Sequence, residues 1–114
     1  MQPSISHTIP SESLAIARLV KNKILLADET ASVILFGSRA RGDAENDSDW
    51  DFLILTKQTD TDLLSDKFRR IILRDVELKY DMAISLIVKN ATLWQTDYAV
   101  TNIYKSVNEE GILL

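Results

Sequence analysis

Two short apolar segments, joined by a polar loop, constrain the fold of this chain more than any other feature. The first, Ser32–Phe36, is rich in β-branched residues and stops at Gly37, which favours a buried strand over a piece of helix. The second, Asp49–Leu55, begins with alternating acidic and apolar residues and ends fully apolar, as a strand does when it enters a sheet from an exposed end. The twelve residues 37–48 between them contain two glycines and several turn formers, so we expect a loop with room for one helical turn.

Amphipathic helices and a third strand are predicted around these two strands. Residues Ser11–Ala27 and Asp60–Arg74 place apolar side chains at three- and four-residue spacing, the period of a helix. Residues Glu77–Val88 alternate in polarity and predict a strand. A last helix, over about Thr96–Glu110, is expected to turn four residues inward: Val100, Ile103, Tyr104 and Val107. This order of helices and strands is typical of a small α/β domain with at least three strands.

Length and composition indicate one folded domain. The chain has 114 residues, of which 46% are hydrophobic and 26% charged, and this size leaves no room for a second core. Residues 1–10 hold both prolines and are expected to form an irregular lead-in, so the predicted domain spans residues 11–114. The apolar runs are only a few residues long, far below the roughly 20 needed to cross a bilayer. We therefore expect a soluble protein without a membrane partner.

Charge and cysteine content narrow the classes of function. The net charge of -4 and the pI near 4.9 argue against binding a nucleic-acid backbone by bulk electrostatics. A polyanionic ligand would therefore have to be bound by a local group of arginines or by a metal ion. The absence of cysteine excludes disulfides, thiolate zinc sites and cysteine nucleophiles, and with the lack of an apolar leader it favours a cytoplasmic location.

A pair of aspartates marks a candidate metal site. Asp49 and Asp51 are two residues apart on a predicted strand, so their carboxylates lie on one face while Trp50 and Phe52 point into the core on the other. Two neighbouring carboxylates repel each other unless a positive charge lies between them. Mg²⁺ suits this pair, because it binds one or two carboxylates and completes its octahedron with water and nucleotide phosphates.

The turn after the first strand is a candidate phosphate-binding element. Gly37 allows the backbone to approach a ligand and to direct N–H groups at it, and Ser38 adds a hydroxyl donor. Arg39 and Arg41 follow closely enough to add charge-assisted hydrogen bonds to phosphate oxygens, although both could instead pair with acidic residues of the loop.

The combination of these residues resembles a known signature. Phe36-Gly37-Ser38, followed after ten residues by Asp49-Trp50-Asp51-Phe52, is similar to the signature of the polymerase-β-like nucleotidyltransferase superfamily. The run GSRARGDAENDSDWDFLIL resembles the minimal, single-domain members, and the resemblance covers the chain from about residue 12 onward. It implies a minimal nucleotidyltransferase fold of the α+β class, with a short mixed sheet and helices packed on one side. It also implies that the glycine and serine contact the triphosphate and that the two aspartates hold Mg²⁺.

The third carboxylate of the resembling family has no clear counterpart here. Active members usually carry it on the following strand, facing the first two. Asp81 has suitable parity on the predicted third strand, but the family's usual spacing falls nearer Ser85, which cannot act as a carboxylate. Asp81 is therefore the expected third ligand or base, with a solvated strand residue as the alternative.

The expected activity is transfer of a nucleoside monophosphate, with AMP from ATP as the first choice. Minimal members are often paired with a small helical HEPN-domain protein, as antitoxins that adenylylate a toxin, so the resemblance implies a HEPN-domain partner. Two alternatives stay open. One is a small-molecule, aminoglycoside-type nucleotidyltransferase, and the other is a nucleotide- or protein-binding module of the same fold with weak catalysis. The sequence leaves the oligomeric state open.

Overall fold

The computed structural model describes the backbone of residues 4–5 and 11–114, and the side chains of residues 13–114. Within these residues the chain forms five strands: β1 (Ser4–Ile5), β2 (Ser32–Phe36), β3 (Trp50–Thr56), β4 (Ile84–Asn90) and β5 (Ile112–Leu113). The helices are α1 (Ser11–Ala27), α2 (Ser38–Arg41), α3 (Thr61–Ile72), α4 (Leu78–Tyr80), α5 (Ala91–Gln95) and α6 (Asn102–Glu110). None of the helices within this described part is long and apolar enough to cross a membrane.

The strands form one mixed sheet in the order β1-β5-β2-β3-β4. Strands β2 and β3, the two apolar segments of the sequence, pair antiparallel, with Phe36 opposite Asp51. Strand β4 lies parallel to β3, with Ser85 opposite Asp51. The predicted fold class, a short mixed sheet in a minimal nucleotidyltransferase fold, is confirmed. The expected irregular lead-in is corrected at Ser4–Ile5, which pairs with β5, and the rest of residues 1–10 lies outside the described residues.

The two long helices pack on one face of the sheet. Helix α1 has the predicted bounds, and α3 begins one residue after Asp60, whose side chain caps it by accepting a hydrogen bond from the Leu63 N–H. Trp50 is only 5% exposed and joins this core, as its position on the strand predicted. The core consists of buried apolar residues from both helices and the central strands, including Val20, Ile24, Phe68, Ile72, Leu35, Phe52 and Ile54.

The expectation of helices on one side of the sheet is corrected, because the short helices α5 and α6 cover part of the opposite face. Ile34 and Leu53 pack there with Trp94 of α5 and Val107 of α6, and all four are buried. Asp51 lies on this same face, because it is two residues before Leu53 on β3. Its carboxylate therefore lies beyond the cluster formed by Ile34, Leu53, Trp94 and Val107, near the C-terminal end of β2.

The predicted strand Glu77–Val88 is wrong in its first half. Helix α3 continues through a π-helical turn, Leu73–Glu77, into α4, and the strand begins only with β4. The apolar residues of this alternating segment do not form a buried face, since Leu78 is 73% exposed. The helix ends at Asp81, which adopts a left-handed conformation with φ 52° that aspartate tolerates better than most residues.

The predicted last helix, Thr96–Glu110, is too long at its start. Helix α6 begins after Thr101, whose hydroxyl accepts a hydrogen bond from the Tyr104 N–H at 3.3 Å and so caps the helix. Val100 precedes the helix and is 91% exposed, which contradicts its predicted inward position. The other predicted inward residues do contact the core: Ile103, Tyr104 and Val107.

A buried carboxylate joins the end of α1 to the end of β3. Asp28 accepts hydrogen bonds from the Thr30 N–H at 3.0 Å, from the Thr30 hydroxyl at 2.6 Å and from the hydroxyl of the fully buried Thr56. Burial acts to raise the pKa of Asp28, but these hydrogen bonds and the charge of Lys67 outweigh it and hold the pKa below the usual value. The ionised form is therefore the one that the fold stabilises.

Replacing Asp28 by alanine is expected to lower the free energy of unfolding by about 2 kcal/mol at pH 7, because charged hydrogen bonds are lost and the Thr56 hydroxyl is left buried. Since the folded-state pKa of Asp28 is lowered, its contribution is present above the unfolded value and is lost as the pH falls through the folded value. Urea unfolding at pH 7 and at a pH below the folded-state pKa of Asp28 measures both effects. Glu29→Ala, at the exposed neighbouring residue, is the control and should change little.

Candidate nucleotide and metal site

The two predicted metal ligands lie together at the start of β3. Asp51 is the second residue of the strand and is half-buried, while Asp49 immediately precedes the strand and is exposed. The two residues are close enough for the charge of Asp49 to act on the Asp51 carboxylate. That both carboxylates share one face and bind a metal together stays a prediction from their spacing.

The turn at Gly37 lies directly against this pair. Gly37 has φ 75°, and a Cβ atom built on it would overlap the Asp51 carboxylate. The Gly37 carbonyl accepts hydrogen bonds from the N–H groups of Ala40 and Arg41, both at 3.0 Å, which closes the single turn of α2 predicted within the loop. Glycine is thus required both by the left-handed backbone and by the space that Asp51 occupies.

Negative charge is concentrated around Asp51. Burial raises the pKa of Asp51 above its usual value, the charge of Asp49 raises it further, and Glu110 adds to the effect while Arg41 opposes it. In residues 13–114, neither Asp49 nor Asp51 forms a salt bridge. A cation bound between the two carboxylates would relieve the repulsion that raises the pKa of Asp51.

Glu110 is a residue of this site that the sequence analysis missed. It is the last residue of α6, and its Oε1 accepts a hydrogen bond from the Gly37 N–H at 3.1 Å. Its two carboxylate oxygens also accept hydrogen bonds from Arg41 Nη1, at 3.1 and 3.0 Å. The signal that could have found Glu110 is its place just before Gly111, in a C-terminal segment that resembles the minimal nucleotidyltransferases.

The two predicted phosphate-binding arginines are both engaged by the protein itself. Arg39 Nη2 donates hydrogen bonds to the carbonyl oxygens of Ser48 at 2.9 Å and of Asn46 at 3.2 Å, and its guanidinium lies 4.6 Å from the centre of the Trp50 ring. Arg41 pairs with Glu110 and, through Nε, with Asp43 at 3.1 Å. Arg39 therefore holds the loop 42–48, and Arg41 holds the turn at Gly37.

Asp81 is not brought into the carboxylate pair. The prediction put it on a strand with the parity of the metal ligands, but it lies on the left-handed turn that ends α4, three residues before β4 begins. Ser85 is the residue that the parallel register sets opposite Asp51. The sheet thus carries a hydroxyl opposite Asp51, near the position at which the family's spacing predicted a third carboxylate.

An open groove of about 420 Å³ lies between the loop 46–48 and the residues around Asp81, and neither Asp49 nor Asp51 is one of its lining residues. Ser48 and Ala83, which line it, flank Asp49 in space because the Trp50 N–H donates a hydrogen bond to the Ala83 carbonyl at 2.9 Å. Asp81 and the exposed Leu78 form its far wall. The groove is on the Trp50 side of the sheet, since Arg39 lies over the Trp50 ring and Met82 packs against the same core cluster.

The donor set suits Mg²⁺ held jointly with a nucleotide. Asp49 and Asp51 supply hard oxygen ligands, and within the described residues no group of three acidic, histidine or cysteine side chains converges to form a fuller ligand set. Mg²⁺ commonly binds in this way, with one or two carboxylates from the protein and the remaining positions filled by water and substrate phosphates.

The fold, the paired aspartates and the glycine-serine turn define a nucleotidyltransferase, and comparison with known families agrees. The family described as "Nucleotidyltransferase domain" matches residues 17–113. The chain belongs to this family and is a nucleotidyltransferase.

Three known proteins show what this chain is similar to. A Methanocaldococcus jannaschii protein named "Putative protein adenylyltransferase" is 45% identical over 69 residues, which cover 60% of this chain and 69% of that protein. A structure titled "Structure of putative minimal nucleotidyltransferase" has a TM-score of 0.59 at 22% identity and covers 96% of this chain and 99% of the other. A structure titled "Crystal structure of the toxin-antitoxin with AMP-PNP" has a TM-score of 0.58 at 18% identity, with 83% and 69% covered. The two structures support the fold.

Proposed function

We propose that this chain transfers AMP from ATP to a protein acceptor in an Mg²⁺-dependent reaction. The observation that carries the proposal is the contact between Gly37 and the Asp51 carboxylate, which makes the turn and the aspartates one site. A triphosphate held at the Gly37–Ser38 turn would have its phosphates beside Asp49 and Asp51. Mg²⁺ bound there supplies neutralisation of the phosphate charge and activation of the attacking oxygen.

Each residue of the proposed site has a defined task. Asp49 and Asp51 hold the metal, and Ser38 positions the triphosphate through its hydroxyl and N–H groups. The acceptor oxygen attacks the α-phosphorus, the bond to the β-phosphate breaks, and pyrophosphate leaves in line. No carboxylate opposes Asp51 on β4, since Ser85 occupies that place, so we propose that the acceptor proton leaves through solvent or through a group of the partner.

A protein acceptor fits the exposed position of Asp49 better than a small molecule does. Small substrates are usually held in pockets that bury most of their surface, whereas Asp49 lies at the surface of the protein. The M. jannaschii relative is named for transfer to protein, and one structural neighbour is titled as a toxin-antitoxin. We propose a HEPN-domain protein as the acceptor and the cytoplasm as the place of the reaction.

Incubation of the chain with a HEPN-domain protein encoded beside it, Mg²⁺ and labelled ATP tests this function. ATP labelled at the α-phosphate should label the partner, and ATP labelled at the γ-phosphate should release labelled pyrophosphate and leave the partner unlabelled. This pair of labels separates nucleotidyl transfer from phosphoryl transfer, because only the former retains the α-phosphorus on the acceptor.

Two results would contradict the proposed acceptor. Label on an aminoglycoside, with none on the partner, would support a small-molecule transferase. Binding of ATP with no transfer to either acceptor would support a nucleotide-binding module, in line with Ser85 beside Asp51. In that case Ser85→Asp, which adds a carboxylate opposite Asp51, is the variant to assay next.

A further inference from the structure

Gly37 is fixed by carboxylates on two sides. The Asp51 carboxylate occupies the space where a side chain at position 37 would lie, and Glu110 Oε1 accepts the Gly37 N–H at 3.1 Å. Residues 37 and 110 are 73 positions apart in the chain, so this hydrogen bond joins the C-terminal helix α6 to the turn that begins the nucleotide site. A charged acceptor on a backbone N–H makes one of the stronger hydrogen bonds in proteins.

The position of Glu110 is set by the residue that follows it. Gly111 is buried, and a Cβ atom there would overlap the Val107 carbonyl oxygen and come within 3.0 Å of Ile34 Cγ2. Only glycine lets α6 end this close to β2, after which the chain enters β5 and pairs with β2. The end of α6 is therefore held against the strand that leads into Gly37.

Arg41, at the other end of the turn 37–41, also contacts Glu110. Its Nη1 donates to both oxygens of Glu110, and its Nε donates to Asp43. Glu110 thus binds the first residue of the 37–41 turn through the backbone and the last through a side chain. Arg41 therefore links the end of the turn to Glu110 and to Asp43.

We propose that Glu110 is a positioning residue of the nucleotide site, which holds the turn 37–41 in its triphosphate-binding conformation by bridging the Gly37 N–H and the Arg41 guanidinium. This inference rests on the proposed function, since it assigns a role in binding the nucleotide of that reaction. It goes beyond the glycine-serine and aspartate motif, because Glu110 contacts neither metal nor phosphate in the proposed arrangement.

Steady-state kinetics with Glu110→Ala and Glu110→Gln tests the role. Glu110→Ala loses both contacts, and we expect the KM for ATP to rise about tenfold, with kcat changed far less because the reacting atoms are not touched. Glu110→Gln keeps an oxygen for the Gly37 N–H and should be partly rescued. Glu109→Ala, one residue earlier and exposed, is the matched control and should leave KM unchanged.

Two outcomes would overturn the inference. An unchanged KM in a folded Glu110→Ala variant would show that the turn does not need the contact. A lowered KM would show that the Glu110 carboxylate competes with phosphate for the Gly37 N–H. If Glu110→Ala does not fold, Arg41→Ala removes the other end of the bridge and is expected to lower the protection of the Gly37 amide against hydrogen exchange, a readout that does not depend on phosphate binding.

Hydrogen exchange at the Gly37 amide separates this inference from the proposed function, because it needs no nucleotide. The wild-type amide should be protected, Glu110→Ala should lose the protection, and Glu110→Gln should keep part of it. Equal exchange in wild type and Glu110→Ala would contradict the inference. Failure of the wild-type chain to bind ATP, with Gly37 protected, would contradict the proposed function and leave the contact itself in place.

Discussion

Replacing Gly37 by alanine is expected to lower transfer activity at least about a hundredfold, because small displacements of positioning groups cost rate on that scale. The new methyl group would overlap the Asp51 carboxylate, so either the turn or the proposed metal ligand has to move. In addition, the backbone of Gly37, with φ 75° and ψ -159°, lies in a region used essentially by glycine alone, which costs another residue roughly 1–3 kcal/mol. Activity with saturating ATP and thermal unfolding should be measured on the same preparation.

Gly42→Ala is the matched control for the Gly37→Ala experiment. Gly42 also has a positive φ, at 87°, but a Cβ atom there would meet nothing within 4 Å. The backbone of Gly42 (ψ 11°) lies in the left-handed helical region, whereas that of Gly37 (ψ -159°) lies in a region used essentially by glycine alone, so Gly37→Ala carries more backbone strain as well as the overlap with Asp51. Equal activities for Gly37→Ala and Gly42→Ala would mean that contact with the Asp51 carboxylate has no part in the reaction.

The double variant Asp49→Asn/Asp51→Asn is expected to lose about a thousandfold or more of the transfer rate, since a bound metal contributes several kcal/mol of charge stabilisation in such reactions. Its stability should not fall. Burial and the charge of Asp49 raise the pKa of Asp51, so its ionised form is less favourable in the folded protein than in the unfolded chain. A neutral asparagine avoids that cost at pH 7.

The control for this variant is Asp62→Asn/Asp66→Asn. Both residues are exposed on α3, and their replacement changes the net charge by the same amount. If Asp49→Asn/Asp51→Asn transferred AMP as fast as this control, the carboxylate pair would have no part in the mechanism. A lower unfolding temperature than wild type would show that the two aspartates stabilise the fold, contrary to the electrostatics described above.

The central elements of the fold were predictable because their patterns are local. The apolar run of β2, the acidic and apolar alternation of β3 and the helical period of α1 each reflect burial on one face of one element. The same alternation predicted which face of β3 would carry Asp51 and which would bury Trp50. The link between the two strands also had the composition of a loop with one helical turn.

The region between α3 and β4 could not be predicted from alternation. Residues 77–83 alternate in polarity, yet the structure continues the helix through a π-helical turn and leaves Leu78 exposed. Periodicity measures polarity and cannot tell a buried stripe from an exposed one. The placement of Asp81 depended on that strand, so its proposed role as a third ligand loses the geometric support on which it was based.

The contribution of Glu110 was hidden for a different reason. Its partners Gly37 and Arg41 are 73 and 69 residues away, and only the closure of β5 onto β2 brings them together. Viewed along α6 alone, a glutamate at the C-terminus of a helix is slightly unfavourable and suggests no function. Long-range pairing of this kind is visible only in the folded structure.

Calorimetric titration with a non-hydrolysable ATP analogue tests the central claim most directly. The claim is that Asp49 and Asp51 share a cation beside the Gly37–Ser38 turn and thereby bind a triphosphate. The wild-type chain should bind the analogue with Mg²⁺, lose binding in a chelator, and lose it equally in Asp49→Asn/Asp51→Asn with Mg²⁺ present. Undiminished affinity in that variant, or in the wild type without a divalent cation, would contradict the account.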